Sequence, residues 1–270
     1  MSEAVHSSVY FYGVVRGDHS GPLTGVTSVD GDGPVYGIAY RDLTVIVSDA
    51  QKQRYEISRR NVLGHEAVVT ALMERFAVLP ARFGSVRNRD AIADELLGTY
   101  YERLRAQIER VDGMVEIGLV VRWFNIKSII AEIVAADPWL PKARRRLAIA
   151  QASQNMRLDV GKRVEQLLAA KRSAEGANIV NALKECAAQH GVHLNECGEE
   201  AMVLDASFLV QRGEIDAFAA AVKAHDSKVD GRYQMTVGAP AAPYGFVPQL
   251  ESVLQRHGRE RGRRRDRARR

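Results

Sequence analysis

A chain of 270 residues with 46% apolar and 26% charged side chains has an ordinary globular composition and length enough for one large domain or two of average size. Its formal charge of +5 belongs to its end: residues 258–270 carry eight Arg against Glu260 and Asp266, a charge of +6, and the remainder sums to −1. The near-neutral body therefore gives no electrostatic reason to look for a nucleic-acid partner. Two cysteines, Cys186 and Cys197, lie eleven apart with no CxxC spacing, which fits a reducing cytoplasm better than a disulfide or metal framework. No basic segment leads into an apolar one and no run of about 18 apolar residues occurs, so neither a standard export signal nor a membrane span is predicted.

Alternation of Val9, Phe11, Gly13 and Val15 with Tyr10, Tyr12 and Val14 predicts an opening strand covered on both faces. A turn-rich insert follows, with Gly21-Pro22 and Asp30-Gly31-Asp32-Gly33-Pro34, then strands at 35–40 and 43–48 joined by a turn at Arg41-Asp42. Ser58 caps a helix reaching Phe76, whose apolar face carries Val62, His65, Val69, Leu72 and Met73. A second helix is expected over 89–110, then a one-sided strand through Val115, Ile117, Leu119, Val121 and Trp123.

A short helix at 126–133 is expected to break at Asp137-Pro138-Trp139-Leu140-Pro141, an exposed elbow followed by Lys142, Arg144, Arg145 and Arg146. A long helix over 151–190, interrupted near Gly176, precedes strands at 192–197 and 201–211, a helix at 213–226 and a strand at 232–238. The predicted fold class is α+β: a modified ferredoxin-like domain at 1–111, a ferredoxin-like βαββαβ domain at 112–257 and a disordered Arg-rich tail at 258–270.

No catalytic constellation emerges. His65-Glu66 lacks the second His one turn on that a zinc protease needs, since Val69 stands there, and a packed histidine is expected instead. The glycines at 31 and 33 lead into a strand and carry acids, which phosphate would avoid, and no G-x-S-x-G elbow is present. Asp94-Glu95 and Glu199-Glu200 read as solvated pairs. Catalytic residues, cofactors and metals are all predicted absent, and a ferredoxin-like fold alone restores no activity.

Two segments remain. In Leu79-Pro80-x-Arg82-Phe83-Gly84, Pro80 is expected to end the preceding helix, Gly84 to take unusual backbone angles, Phe83 to fill the core and Arg82 either to pin that corner or to meet a partner. Pro240, Pro243, Tyr244, Phe246, Val247 and Pro248 form an extended segment that cannot be a central strand. It either packs back across the domain or presents Tyr244 and Phe246 to a partner, and packing is the favoured reading.

The succession of an aromatic opening strand, His65 on an apolar helix, LP-x-RFG-x-V at 79–86, the strand at 115–121 and P-Y-x-F-V at 243–247 resembles the gas vesicle protein F/L family. The resemblance runs from the first strand to Val247, outside the tail; the family's C-terminal Trp is missing from Gly238-Ala239-Pro240-Ala241-Ala242-Pro243-Tyr244. It implies a cytoplasmic, vesicle-associated accessory or minor structural protein that binds the apolar major gas vesicle shell protein, and other vesicle accessory proteins, during nucleation and assembly. Leu79, Pro80, Arg82, Phe83, Gly84, Pro243, Tyr244 and Phe246 are the candidate partner-binding or structural residues. The competing reading is a nucleic-acid-binding ferredoxin-like module using the basic tail.

Overall fold

Val9 and Phe11 point to one side of the opening strand and Tyr10 and Tyr12 to the other, and all four are fully buried. Each side of the sheet is covered by its own helix, which explains an aromatic, apolar strand with no solvated face. In the computed structural model, the described residues are 8–89, 92, 98–149, 154–186, 191–196, 198–228 and 231–247. The tail at 258–270, Cys197, Pro248, Asp94-Glu95 and the side chain of Cys186 lie outside that description. The architecture is mixed α+β with two sheets, and the chain divides into two units: one runs to Glu116 and resumes at Ala241, and the other is Ile117–Pro240.

The first unit contains β1 (Ser8–Arg16), β2 (Gly21–Thr27), β3 (Pro34–Tyr40), β4 (Leu43–Asp49), α1 (Arg59–Arg75), β5 (Val78–Pro80), β6 (Val86–Asn88) and α2 (Thr99–Val111). Its antiparallel sheet has the order β2-β3-β4-β1-β5, with β6 also paired to β1. The β3–β4 turn falls at Arg41-Asp42 as predicted, and Arg41 adopts φ 55° there. Ser58 Oγ accepts the Asn61 N–H at 3.3 Å, and α1 ends at Phe76.

Two departures in this sheet have local causes. The segment expected as a turn-rich insert holds the edge strand β2, whose Pro22 and positive-φ Gly21 and Gly25 disguise it; its pairing with β3 is correspondingly irregular. The alternation of β1 also slips, because Phe11 pairs with Val47 and Gly13 with Ile46, leaving Tyr12 as the extra residue of a bulge. Val14 therefore rejoins Val9 and Phe11 in the cluster with Leu104, Ile108 and Val111 of α2. A Cβ on Gly13 would stand 2.6 Å from Leu79 O, so glycine is what lets β5 pair at the bulge.

The second unit continues β7 (Met114–Trp123), whose alternate residues from Val115 to Trp123 are buried as predicted. It follows with α3 (Ile126–Ala136), α4 (Leu140–Ile149), α5 (Gln154–Cys186), β8 (Gly191–Leu194), β9 (Met202–Gln211), α6 (Ile215–Lys228) and β10 (Tyr233–Val237). The sheet order is β10-β7-β9-β8.

The predicted elbow is a helix start instead. Asp137 Oδ1 accepts the Trp139 and Leu140 N–H groups, both at 2.9 Å, so the prolines sit before and within the first turn of α4, where they cost no hydrogen bond. Nor does Gly176 interrupt α5: it is buried, and its absent Cβ allows the helix to approach Val203 O, which that atom would meet at 3.2 Å.

Glu175, beside it, braces the unit by accepting Trp123 Nε1–H at 2.7 Å, Tyr233 Oη–H at 2.8 Å and Arg232 NH2 at 2.6 Å. Burial alone would raise the Glu175 pKa, but these donors hold it below the usual carboxylate value. Glu132 joins through Arg232 and Lys171 and is driven down to about 2, chiefly by the Arg232 hydrogen bonds.

Candidate functional site

Leu79, Pro80, Arg82, Phe83, Gly84, Pro243, Tyr244 and Phe246 all lie in the first unit, and both of their segments reach His65. Helical spacing from the Ser58 cap turns His65 toward the sheet, where it is fully buried against Tyr10 and Tyr12, two strand residues on the same face. Tyr12 stacks on the imidazole at 5.8 Å and 22°, and Phe83 meets it edge-on at 6.0 Å and 90°.

A directional chain of hydrogen bonds fixes the protonation. Gly84 N–H donates to Tyr10 Oη at 2.9 Å, which frees the Tyr10 hydroxyl proton for His65 Nδ1 at 3.1 Å. Nδ1 is thus the acceptor and Nε2 carries the hydrogen, shared between Ala81 O and Tyr244 Oη, each at 3.2 Å. Tyr244 Oη–H then donates to Glu66 Oε1 at 3.1 Å.

The electrostatics agree with a neutral ring. Burial pushes the His65 pKa down to about 4, against a smaller upward pull from Ala81 O. Burial raises Glu66, with the Tyr244 hydrogen bond pulling the other way, and burial raises Tyr10 and Tyr244 well above the usual phenol value. Tyr10 Oη, both His65 ring nitrogens, Tyr244 Oη and Glu66 Oε1 each have a partner from the protein. The arrangement holds its groups in place.

The individual candidates occupy distinct positions. Leu79 is buried in the α2-side core beside Val247. Pro80 is buried as the last residue of β5, opposite Gly13; it does not end the helix, which has already stopped at Phe76. Phe83 is half-buried at the rim of the aromatic group and is not the core residue expected, because the Arg82–Ser85 turn carries it outward; Ser85 Oγ–H donates to Arg82 O at 2.7 Å. Gly84 takes φ 83°, and its N–H supplies the first link of the chain. The Arg82 side chain is exposed.

Pro243 and Phe246 are buried, and the segment bearing them is tied down at several points. Ala241 exchanges two backbone hydrogen bonds with Glu116 at 2.8 and 2.9 Å, and Gly245 N–H donates to Glu116 Oε2 at 2.7 Å. Sequence reasoning identified His65 as packed but missed Tyr10, Tyr12 and Glu66 as its surroundings, and Glu116 as the anchor of the Tyr244 segment. The tyrosines' shared strand face was the one available signal. Among the described residues, no group of three or more His, Cys, Asp and Glu side chains is placed to hold a metal ion, and no helix is long and apolar enough to cross a membrane.

The family described as gas vesicle synthesis protein GvpL/GvpF matches residues 8–248. Gas vesicle protein F of a Nostoc species is 25% identical over 246 residues, covering 89% of this chain and 98% of that protein. Gas vesicle protein F of a Streptomyces species is 28% identical over 250 residues, covering 89% and 99%. The crystal structure of GvpF from an Anabaena species aligns with a TM-score of 0.78 at 25% identity, over 90% of this chain and 98% of that one. GvpF from Microcystis aeruginosa shares the fold with a TM-score of 0.71 at 20% identity, over 89% and 98%.

Proposed function

The chain belongs to the gas vesicle synthesis protein GvpL/GvpF family, and from that membership we propose that it binds the apolar major shell subunit and supports nucleation and assembly of the vesicle. The observation that carries the proposal is a match spanning both units. A subunit that builds a water-excluding wall exposes apolar surface before assembly, and a binder that covers this surface keeps it from aggregating. The protein works in the cytoplasm, associated with the vesicle and its other accessory proteins, without catalysis. Its second unit reads as ferredoxin-like, from the βαββαβ succession in the order β10-β7-β9-β8, and its first as a modified relative.

The docking surface is assigned to the first unit, which carries the LP-x-RFG element. Ile57, 88% exposed, precedes the Ser58 cap, and Leu63, 56% exposed, follows on α1, so two large apolar side chains face solvent around the helix that bears His65. Contacts of this kind survive moderate salt, which screens charges but not apolar association.

Immobilised full-length protein should retain the purified shell subunit at low and moderate salt, and Ile57→Asp/Leu63→Asp should release it. No retention, or retention abolished by moderate salt, overturns the function; retention untouched by the double substitution overturns the location.

A further inference from the structure

A single carboxylate in the second unit fixes both walls of a groove. Asp137 Oδ1 caps α4 through the Trp139 and Leu140 N–H groups, while Oδ2 takes Arg163 Nε at 3.0 Å and NH2 at 2.8 Å from α5. Between these walls lies a shallow open cavity of about 320 Å³, lined by Trp139, Asp159, Lys162, Arg163 and Gln166. Trp139 is 43% exposed although Leu140 beside it is buried, and Leu158, 53% exposed, stands one helical turn before Lys162.

Around this groove basic side chains outnumber acidic ones, Asp159 and Glu165 being the exposed acids on α5. Lys142 and Arg146, one turn apart, share a face of α4, the helix that begins just after Trp139. Together with Arg144, Arg145, Arg157 and Lys162 they form no ion pair among the described residues; of the neighbouring cations, Arg163 has the Asp137 partner. Lys142, Arg146 and Lys162, unpaired among the described residues, lie on the two helices that hold the exposed Leu158 and follow the exposed Trp139, a costly surface to maintain on a body whose charge is otherwise near balance.

We propose that this face of α4 and the first half of α5 is a docking surface for an acidic polypeptide segment. Its carboxylates pair with Lys142, Arg146 and Lys162, and its apolar side chains lie on Trp139 and Leu158. Charge complementarity sets the sign of the partner, and two local features make it a polypeptide. Asp159 in the groove wall disfavours any anion beside it but accepts peptide backbone N–H groups, which a phosphodiester backbone lacks, and one aromatic side chain cannot stack the successive bases of a nucleic acid. The proposal is independent of shell-subunit binding, which was assigned to apolar residues of the first unit.

Trp139 supplies a local reporter, because the other tryptophan, Trp123, is buried and bonded to Glu175. Full-length protein is titrated with a short Glu-rich peptide carrying Leu at every fourth position, and tryptophan emission and peptide anisotropy are followed together. The peptide should shift the emission, and Trp139→Phe should remove that shift while anisotropy still reports binding. Lys142→Glu/Arg146→Glu/Lys162→Glu should weaken binding at least about tenfold. Reversal of three tail arginines, at 263, 264 and 265, changes the net charge equally and should leave affinity within about twofold. The proposal is overturned by no emission shift, by equal losses in the groove and tail variants, or by single-stranded DNA of matched charge occupying the groove more tightly than the peptide.

Discussion

Tyr244 places its hydroxyl 3.2 Å from His65 Nε2, although 179 residues separate the two in the chain. That contact joins the two segments most recognisable in the sequence, and it completes a polar path from Gly84 through Tyr10, His65 and Tyr244 to Glu66. The path is internal, so its loss should appear first as lost stability.

Tyr244→Phe keeps the ring and removes the hydroxyl, leaving Glu66 Oε1 without its donor. Urea unfolding of the full chain should show a loss of about 1–3 kcal/mol, the worth of a partly buried hydrogen bond to a carboxylate. Phe83→Ala should cost about 1–3 kcal/mol, below the range for a fully buried aromatic, because Phe83 sits at the rim. A loss above that range would mean Phe83 bears on the core after all.

The acid side of the stability curve should carry the signature of His65. Its pKa falls from the ordinary imidazole value of 6.5 to about 4 on folding, so across that window the unfolded chain is protonated and the folded one is not. Stability should therefore decline as pH drops from about 6.5 to about 4, by roughly 3 kcal/mol in all, and this contribution should be flat above the window. Glu66 acts in the opposite sense: its raised pKa gives stability at low pH that is lost as pH rises through the folded value. Unfolding midpoints for wild type and His65→Gln over this range separate the two, and an equally steep decline in the variant would refute the assignment.

Gly176 offers a test of close packing. Valine there would push β-branched carbons toward Val203 O, which a Cβ alone already meets at 3.2 Å. Thermal unfolding of Gly176→Val should reveal a loss of about 1–3 kcal/mol, the usual cost of overpacking. An unchanged midpoint would show that α5 can move away from β9 freely.

The exchange between Glu116 and Ala241 predicts that the first unit can be closed without the second. A chain ending at residue 111 lacks Tyr244 and Val247 and should unfold at lower urea than one in which Glu116 is joined to Ala241 through a short Gly-Ser turn. The joined chain should show a single cooperative transition. Failure of the joined chain to fold would mean that the first unit depends on residues 117–240.

Where local chemistry decides structure, the sequence was readable: Ser58 before an apolar helical stripe, Arg41-Asp42 ahead of a β-branched run, and the one-sided alternation after Gly113. Reading failed where a residue serves something distant. Gly176 looks like a helix break but answers to the backbone of β9, and Pro80 looks like a helix stop but closes a strand beside Gly13. Val14 changes sides because β1 bulges at Tyr12. His65 was legible as packed because its helical face is local information. Tyr244 as its partner was not, since no periodicity connects positions so far apart.

Synthesis runs through the chain in one direction, and the first unit is not complete until its last segment leaves the ribosome. At ordinary elongation rates the nascent chain spends roughly ten seconds making everything between Glu116 and Val247. Throughout that time Glu66 lacks the Tyr244 hydroxyl, and the α2-side core lacks Val247. The unit begun first is finished last, and its unfinished side stays open for the whole of that interval.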